Sequence, residues 1–338
     1  MRHVSESYGS QMRMDPFLIL MIAAVIVATI FPATGRWADN VDLLGTIGVA
    51  LLFFGHGAAL SHRAILTGLK QWQLHAFIFA TTFLVFPLIV QPLRLLPQGI
   101  FPPDLLLGFI YVGVLPSAIS SSIAYTAMAK GNVPAAVCNS AGSNVFGLLL
   151  TPLLMTIFMR SSGSIDLGQA LHDVVLELLL PFGLGQLSHR WLGPLLASRK
   201  HWLENYDQSV IVLIIYSAFS KSVTAGLWQV LPAAGLCLAV VLCTILLAAV
   251  VAFTTCGSRL LGFSREDEIA AVFCGSKKSL ASGLPLAQVL FAGTSGFGMI
   301  VLPIMLYNQI QILVGAVLAR RYAIRLTPAD PVGQNGAA

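Results

Sequence analysis

The sequence predicts an all-α, polytopic membrane protein: ten transmembrane helices arranged as two inverted five-helix repeats, with helices 4 and 9 broken and crossing. Three observations predict it: a composition too apolar for water, ten separate apolar runs of spanning length, and features that recur at a nearly fixed offset.

Of 338 residues, 57% are hydrophobic and only 10% charged, whereas a soluble domain carries about 25% charged residues. A soluble fold is excluded on that ground. The five cysteines, Cys138, Cys237, Cys243, Cys256 and Cys274, stand singly in apolar stretches without C-x-x-C spacing. They read as small apolar fillers, and neither a zinc site nor a disulfide framework is expected. The first fifteen residues are polar and the apolar run starts at Pro16. A signal peptide's charged region and small-residue cleavage site are missing, so the first span is expected to persist.

A helix needs about 20 mainly apolar residues to cross the hydrocarbon core. Runs of that kind lie near 16–33, 43–60, 74–93, 104–129 and 133–159, then near 173–191, 206–224, 232–257, 266–292 and 297–319. Basic residues favour cytoplasmic loops. With the N-terminus on one side, that side receives Arg2, Arg13, Arg63, Lys70, Lys130, Arg190, Arg199, Lys200, Arg259, Arg265, Arg320, Arg321 and Arg325. The other receives only Arg36, Arg94, Arg160 and Lys221. Thirteen against four places both termini in the cytoplasm, and a miscount by one span would destroy the asymmetry. The expected organisation is a cytoplasmic segment 1–15, a first repeat 16–159, a second repeat 172–319 and a cytoplasmic tail 320–338 in the plasma membrane.

Asp15 pairs with Asp173, the third span at Leu74 with the eighth at Pro232, and a break at Pro116 with one at Gly275, at offsets of 158 or 159. Five is odd, so a duplicated five-span unit re-enters from the opposite face. Inverted repeats of this kind typify secondary transporters, with the site at mid-membrane where the halves meet.

The fourth span centres on Pro116 with Ser117, Ser120, Ser121 and Ser122, followed by Thr126. Proline removes a donor and clashes with the preceding turn. Hydrocarbon offers the freed groups no partner, so such a break must be buried in protein or line a wet cavity. The ninth span centres on Gly275, Ser276, Lys277, Lys278, Ser279, Ser282, Gly283 and Pro285. Mid-membrane lysines cost about 2.5–3.5 kcal/mol each on insertion scales and normally face the bundle interior or a water-filled cavity. Half-helices meeting there aim positive N-termini at the crossing, and the two ammoniums add to that field, so an electropositive centre is expected.

Polar stripes flank the breaks. The fifth span carries Asn139, Ser140, Ser143 and Asn144, which form i,i+4 pairs on one face; the tenth carries Tyr307, Asn308, Gln309 and Gln311. Small polar residues also serve as packing glue between membrane helices, but amides are costlier to bury, which favours a cavity for Asn139 and Asn144. His56 in a GHG run, with Lys221 at the matching place on the seventh span, is a candidate proton relay, the alternative being a hydrogen-bonded packing residue.

The segments WQLHAF (72–77), LPSAISSSIAYTAMAKGN (115–132), LLLPFGLGQL (178–187), VLIIYSAFSKSV (212–223) and CGSKKSLASGLPLA (274–287) carry a resemblance to the bile acid:sodium symporter family, in particular its sodium/bile-acid cotransporter 7-like branch. The resemblance implies a core and a panel domain, with helices 4 and 9 unwound behind a mid-membrane cavity. It also implies two sodium ions at that crossing. Carried over by position, the Ser-Asn pair of helix 4 falls at Ser121 and Ser122, a helix-5 threonine at Ser140 and a helix-5 serine at Ala136. The helix-9 glutamate falls at Phe273, the glutamine after it at Lys277, and a helix-3 glutamine at Thr82. A carboxylate has therefore gone and an ammonium has arrived. On this reading Lys277 or Lys278 stands where a sodium ion stands in relatives, and either neutralises an anionic substrate or carries a proton, since desolvation disfavours the charged amine.

The function expected is secondary transport of a small organic anion, coupled to sodium or protons. The bilayer is the other expected partner, and neither nucleic acid, a bound metal nor an organic cofactor is expected. The alternative is a channel-like or regulatory membrane protein that keeps the fold. No H-E-x-x-H or G-x-S-x-G motif supports an enzyme. The candidate ion and substrate residues are Ser120, Ser121, Ser122, Thr126, Asn139, Ser140, Asn144, Gly275, Ser276, Lys277, Lys278, Ser279 and Asn308.

Overall fold

The structure, a computed structural model, describes residues 16–59, 71–95, 102–159, 172, 175–291 and 293–325. The expected segment 1–15, the tail beyond 325, Arg63, Lys70, and the repeat markers Asp15 and Asp173 lie outside them.

All regular structure among the described residues is helical. The first half contains α1 (Pro16–Ile30), α2 (Arg36–Ala59), α3 (Trp72–Leu95), α4 (Pro103–Val114), α5 (Ser120–Met128) and α6 (Val133–Met159). The second contains α7 (Val175–Leu187), α8 (His189–Ser198), α9 (Lys200–Thr224), α10 (Leu227–Val230), α11 (Ala233–Leu260), α12 (Arg265–Ser276), α13 (Leu280–Phe291) and α14 (Phe297–Arg325). Five of these, α2, α3, α6, α11 and α14, are long and apolar enough to cross a membrane. Several bounds differ from the sequence expectation. α2 begins at Arg36 rather than near 43, and α9 at Lys200 rather than near 206. α14 continues to Arg325, so the expected tail begins inside a helix.

The helices turn large apolar side chains outward as well as inward. Leu51, Ile245 and Val317 are more than half exposed while Val49, Val250 and Ala319 on the same helices are buried. Such an outer surface suits an apolar solvent, where association rests on close packing rather than on the hydrophobic effect. Glycines set the closest approach. α2 crosses α7 with Gly57 against the Phe182 carbonyl and Gly185 against the Phe54 carbonyl, where an added Cβ would lie 2.1 and 2.0 Å from oxygen.

The α2–α9 pair is fastened at both ends. Lys221 Nζ lies 2.7 Å from Asp42 Oδ2, and His56 Nε2 lies 3.1 Å from Asp207 Oδ2. Ser217 donates to the other Asp42 oxygen at 2.6 Å. Asp42 and Asp207, like His56 and Lys221, are 165 positions apart, so each aspartate meets the basic residue of the opposite helix.

Both expected breaks are present. Five residues, 115–119, separate α4 from α5, and three, 277–279, separate α12 from α13. Start signals position the half-helices: Pro103 occupies the first turn of α4, and Ser264 caps α12 by accepting from Asp267 N at 3.1 Å.

Replacing Gly57 or Gly185 by alanine forces the α2–α7 backbones apart and is expected to cost about 1–3 kcal/mol. Thermal unfolding in detergent checks this, with Gly142→Ala, whose Cβ would meet nothing within 4 Å, as the unaffected control.

Candidate functional site

The two breaks touch. Ser279 N donates to the Pro116 carbonyl at 2.9 Å, Ser117 Oγ to the Cys274 carbonyl at 2.7 Å and Ser122 Oγ to the Phe273 carbonyl at 3.0 Å. Pro116 lies against Gly147 of α6, where a Cβ would come within 2.7 Å of the proline ring. Residues 271–280 are buried throughout.

A helix end leaves carbonyls without intrahelical partners, and in the interior each must find another. At the end of α4 the accounting is nearly complete. Val114 O accepts from Thr151 Oγ1 at 2.9 Å, and Ser117 O from Asn144 Nδ2 at 2.7 Å. Gly113 O and Leu115 O accept from Lys278 Nζ at 2.9 and 2.7 Å. Ser117 N, which a continuing helix would turn on Gly113 O, goes instead to Ser143 Oγ at 2.9 Å.

The third acceptor of Lys278 is Thr82 O at 3.0 Å. The α3 backbone widens into a π-turn over Thr81–Val85, where Phe86 N donates to Thr81 O. In that register Thr82 O would next receive the N–H of residue 87, which is proline. The carbonyl is thereby left for Lys278. An ammonium has three donors, and all three end on carbonyls. The Phe86 ring centroid lies 4.0 Å from the same nitrogen.

Lys277 points elsewhere. Its Nζ donates to Gln311 O on α14 at 3.1 Å and sits 4.1 Å from the Tyr125 ring centroid. A Cβ on Gly315 would lie 2.9 Å from this nitrogen and 3.0 Å from the Tyr125 ring, so a larger residue there would push on both. Gln311 also grips the Lys278 backbone from both sides: Oε1 accepts from Lys278 N at 2.8 Å and Nε2 donates to Lys278 O at 2.8 Å.

The remaining candidates divide. Asn144 bridges the breaks, bonding Ser140 O at 2.9 Å and accepting from Ser282 Oγ. Ser279 Oγ lies 2.9 Å from Ser282 Oγ, and Ser140 Oγ 3.7 Å from Cys274 Sγ. Ser276 donates back to Val272 O, while its own carbonyl receives Tyr307 OH at 2.7 Å. Gly275 is where α12 passes Thr254 and Thr81, and a Cβ would come within 2.9 Å of the former. Asn308 Oδ1 holds Gln311 Nε2 at 3.0 Å. Thr126 bonds Ser122 O, and Asn139 bonds Ala135 O, each one turn back on its own helix. Ser120 is exposed and Ser121 half-buried, and among the described residues no hydrogen bond joins either to the crossing. His56 lies apart, in its pair with Asp207.

The sequence reading overstated the positive field. The crossing gathers the negative C-terminal ends of α4 and α12 as well as the positive N-terminal ends of α5 and α13, and Lys278 is spent on the former. Thr151 and Tyr125 go unmarked in the sequence, while Thr82 is marked there only by the family resemblance and Gln311 only as part of a polar stripe. Pro87, five residues after Thr82, is the signal for the use of its carbonyl.

Removing Lys278 orphans three buried acceptors. Lys278→Met, which preserves volume, is expected to lose about 3 kcal/mol or more, and Lys277→Met about 1–3 kcal/mol. Paired thermal denaturation of the purified variants tests that order; equal losses would contradict the geometry.

The profile of the SBF-like CPA transporter family matches residues 15–324. The chain is 46% identical over 314 residues to uncharacterized protein PA2026 of Pseudomonas aeruginosa, covering 92% of this chain and 93% of that one. It is 43% identical over 309 residues to YfeH of Escherichia coli, covering 91% and 93%. With sodium/bile acid cotransporter 7 of Rattus norvegicus the identity is 28% over 317 residues, covering 91% and 92%.

Proposed function

The chain belongs to the SBF-like CPA transporter family and is a symporter-like membrane transporter rather than an enzyme, and from that premise we propose that it carries a small organic anion by alternating access around the α4–α5 and α12–α13 crossing. In this reading the chain makes ten spans in two inverted halves, with both termini in the cytoplasm and the plasma membrane as its location. The reciprocal Asp42–Lys221 and Asp207–His56 pairs support the inversion, because a two-fold axis in the membrane plane exchanges them.

The observation that carries the proposal is the unequal use of two adjacent buried ammoniums. Lys278 is saturated by three carbonyls and acts as a fixed cation. Lys277, held by one carbonyl and one aromatic face, keeps donors to spare. A fixed cation makes a bound sodium ion unnecessary for holding the breaks together. Lys277 is then the group that exchanges a proton or meets the substrate's negative charge, and Ser122, Ser140, Asn144, Ser279 and Asn308 are the other polar candidates of the site. The rat relative's name speaks of sodium and bile acid. For this chain an organic anion is the part of that pairing its residues favour, and coupling to protons is favoured over coupling to sodium.

Proteoliposomes test this directly. Counterflow of organic anions should be saturable, driven by an inward proton gradient, and unchanged when sodium is replaced by choline. Lys277→Gln should reduce gradient-driven uptake to background while the protein remains folded. Uptake that follows a sodium gradient and ignores pH would sink the coupling assignment, and Lys277→Gln with full proton-driven uptake would sink the residue assignment.

A further inference from the structure

At one end of α11 a recess of about 200 Å³ opens between α11, α12 and α14, lined by Val251, Thr255, Arg259, Arg265, Leu318, Arg321 and Tyr322. It lies on the face to which thirteen basic residues are assigned, and it is far along the chain from every residue of the crossing except those of α12 and α14.

Three guanidiniums surround it and one carboxylate answers them. Glu268, nearly buried, accepts from Arg259 Nε at 3.1 Å, from Arg259 Nη2 at 3.2 Å, from Arg265 Nη1 at 2.7 Å and from Tyr322 OH at 3.0 Å. Arg265 is further held over the Tyr322 ring, 4.4 Å from its centroid. Both arginines are thus oriented while each keeps N–H groups directed away from Glu268. Arg321 is exposed and has no hydrogen bond or ion pair among the described residues. The carboxylate is fully engaged and two positive charges remain over. Planar guanidiniums match the geometry of phosphate oxygens.

The other walls decide which phosphate. Val251 and Leu318 give the recess an apolar floor, and Leu260 and Leu261, which follow Arg259 in the chain, are 87% and 57% exposed. A free anion in water has no use for such a floor, whereas glycerol and the first acyl carbons of a lipid do. Basic pockets between helices at the cytoplasmic surface are suited to anionic headgroups.

We propose that this recess binds the phosphate headgroup of an anionic phospholipid, with Arg259, Arg265 and Arg321 on the phosphate and Val251 and Leu318 under the glycerol and upper acyl chain. The site does not depend on what the crossing transports.

The test is thermal unfolding of the full chain in detergent with added phosphatidylglycerol, phosphatidylcholine of the same acyl chains, or inorganic phosphate. Phosphatidylglycerol should raise Tm by about 3 °C or more above phosphatidylcholine, and inorganic phosphate should not. Arg321→Gln, which breaks no internal bond, should abolish most of that increment and leave the phosphatidylcholine value unchanged. Equal shifts with both lipids overturn the proposal, as does an undiminished increment in Arg321→Gln. A shift reproduced by inorganic phosphate alone makes this a free-anion site and overturns the lipid assignment.

Discussion

Lys278 Nζ and its three carbonyls are the contact on which the rest of the crossing depends. Two interrupted helices meeting in a bilayer present a cost that neither can offset alone, because hydrocarbon supplies no donors for their open ends. A buried ammonium presents the opposite cost, since it needs acceptors. Each solves the other. The lysine comes from one half of the chain while Thr82, Gly113 and Leu115 come from the other, so the same contact binds the halves. The serines return the favour: Ser117 and Ser122 of the first half hold the Cys274 and Phe273 carbonyls of the second.

This arrangement changes what a coupling ion has to do. Where a mobile cation neutralises two C-terminal helix ends, loading and unloading it alters the stability of the whole crossing. In the proposed reading, a tethered ammonium would keep that stability constant through the cycle, and the variable part would be confined to Lys277, whose hold on Gln311 O and the Tyr125 face is lighter. The α14 contact matters for this division of labour, because Gln311 clamps the Lys278 backbone with its side chain and offers Lys277 its carbonyl. One residue therefore senses both lysines.

Much of this was legible because membrane burial makes polar residues conspicuous. Pro116, the serines after it and the Lys277–Lys278 pair stand out in runs otherwise apolar, and the structure does place breaks there. The direction of each side chain was not legible. Sequence spacing put Asn139 and Asn144 on comparable terms, yet Asn144 bridges the breaks while Asn139 turns back on its own helix. That difference is fixed by how α6 is rotated against Pro116 at Gly147, a tertiary fact. The family resemblance points to Thr82 as a side-chain position, but its hydroxyl stays within α3, bonding Ile78 O at 2.9 Å, and it is the carbonyl that meets Lys278. Backbone acceptors have no residue type, so they show in sequence only through what fails to pair with them, here Pro87.

The pairing of α2 with α9 adds a final constraint. The two ion pairs are equivalent in placement, since 165 positions separate both members, but they are unlike in chemistry. The Asp42–Lys221 end is reinforced by Ser217, which donates to the second Asp42 oxygen. Asp207 Oδ1, buried and without a hydrogen-bond partner among the described residues, leaves the His56–Asp207 end the less completely satisfied. Within the proposed inverted repeat, the two corresponding pairs are thus alike in placement and unequal in how completely their carboxylates are satisfied.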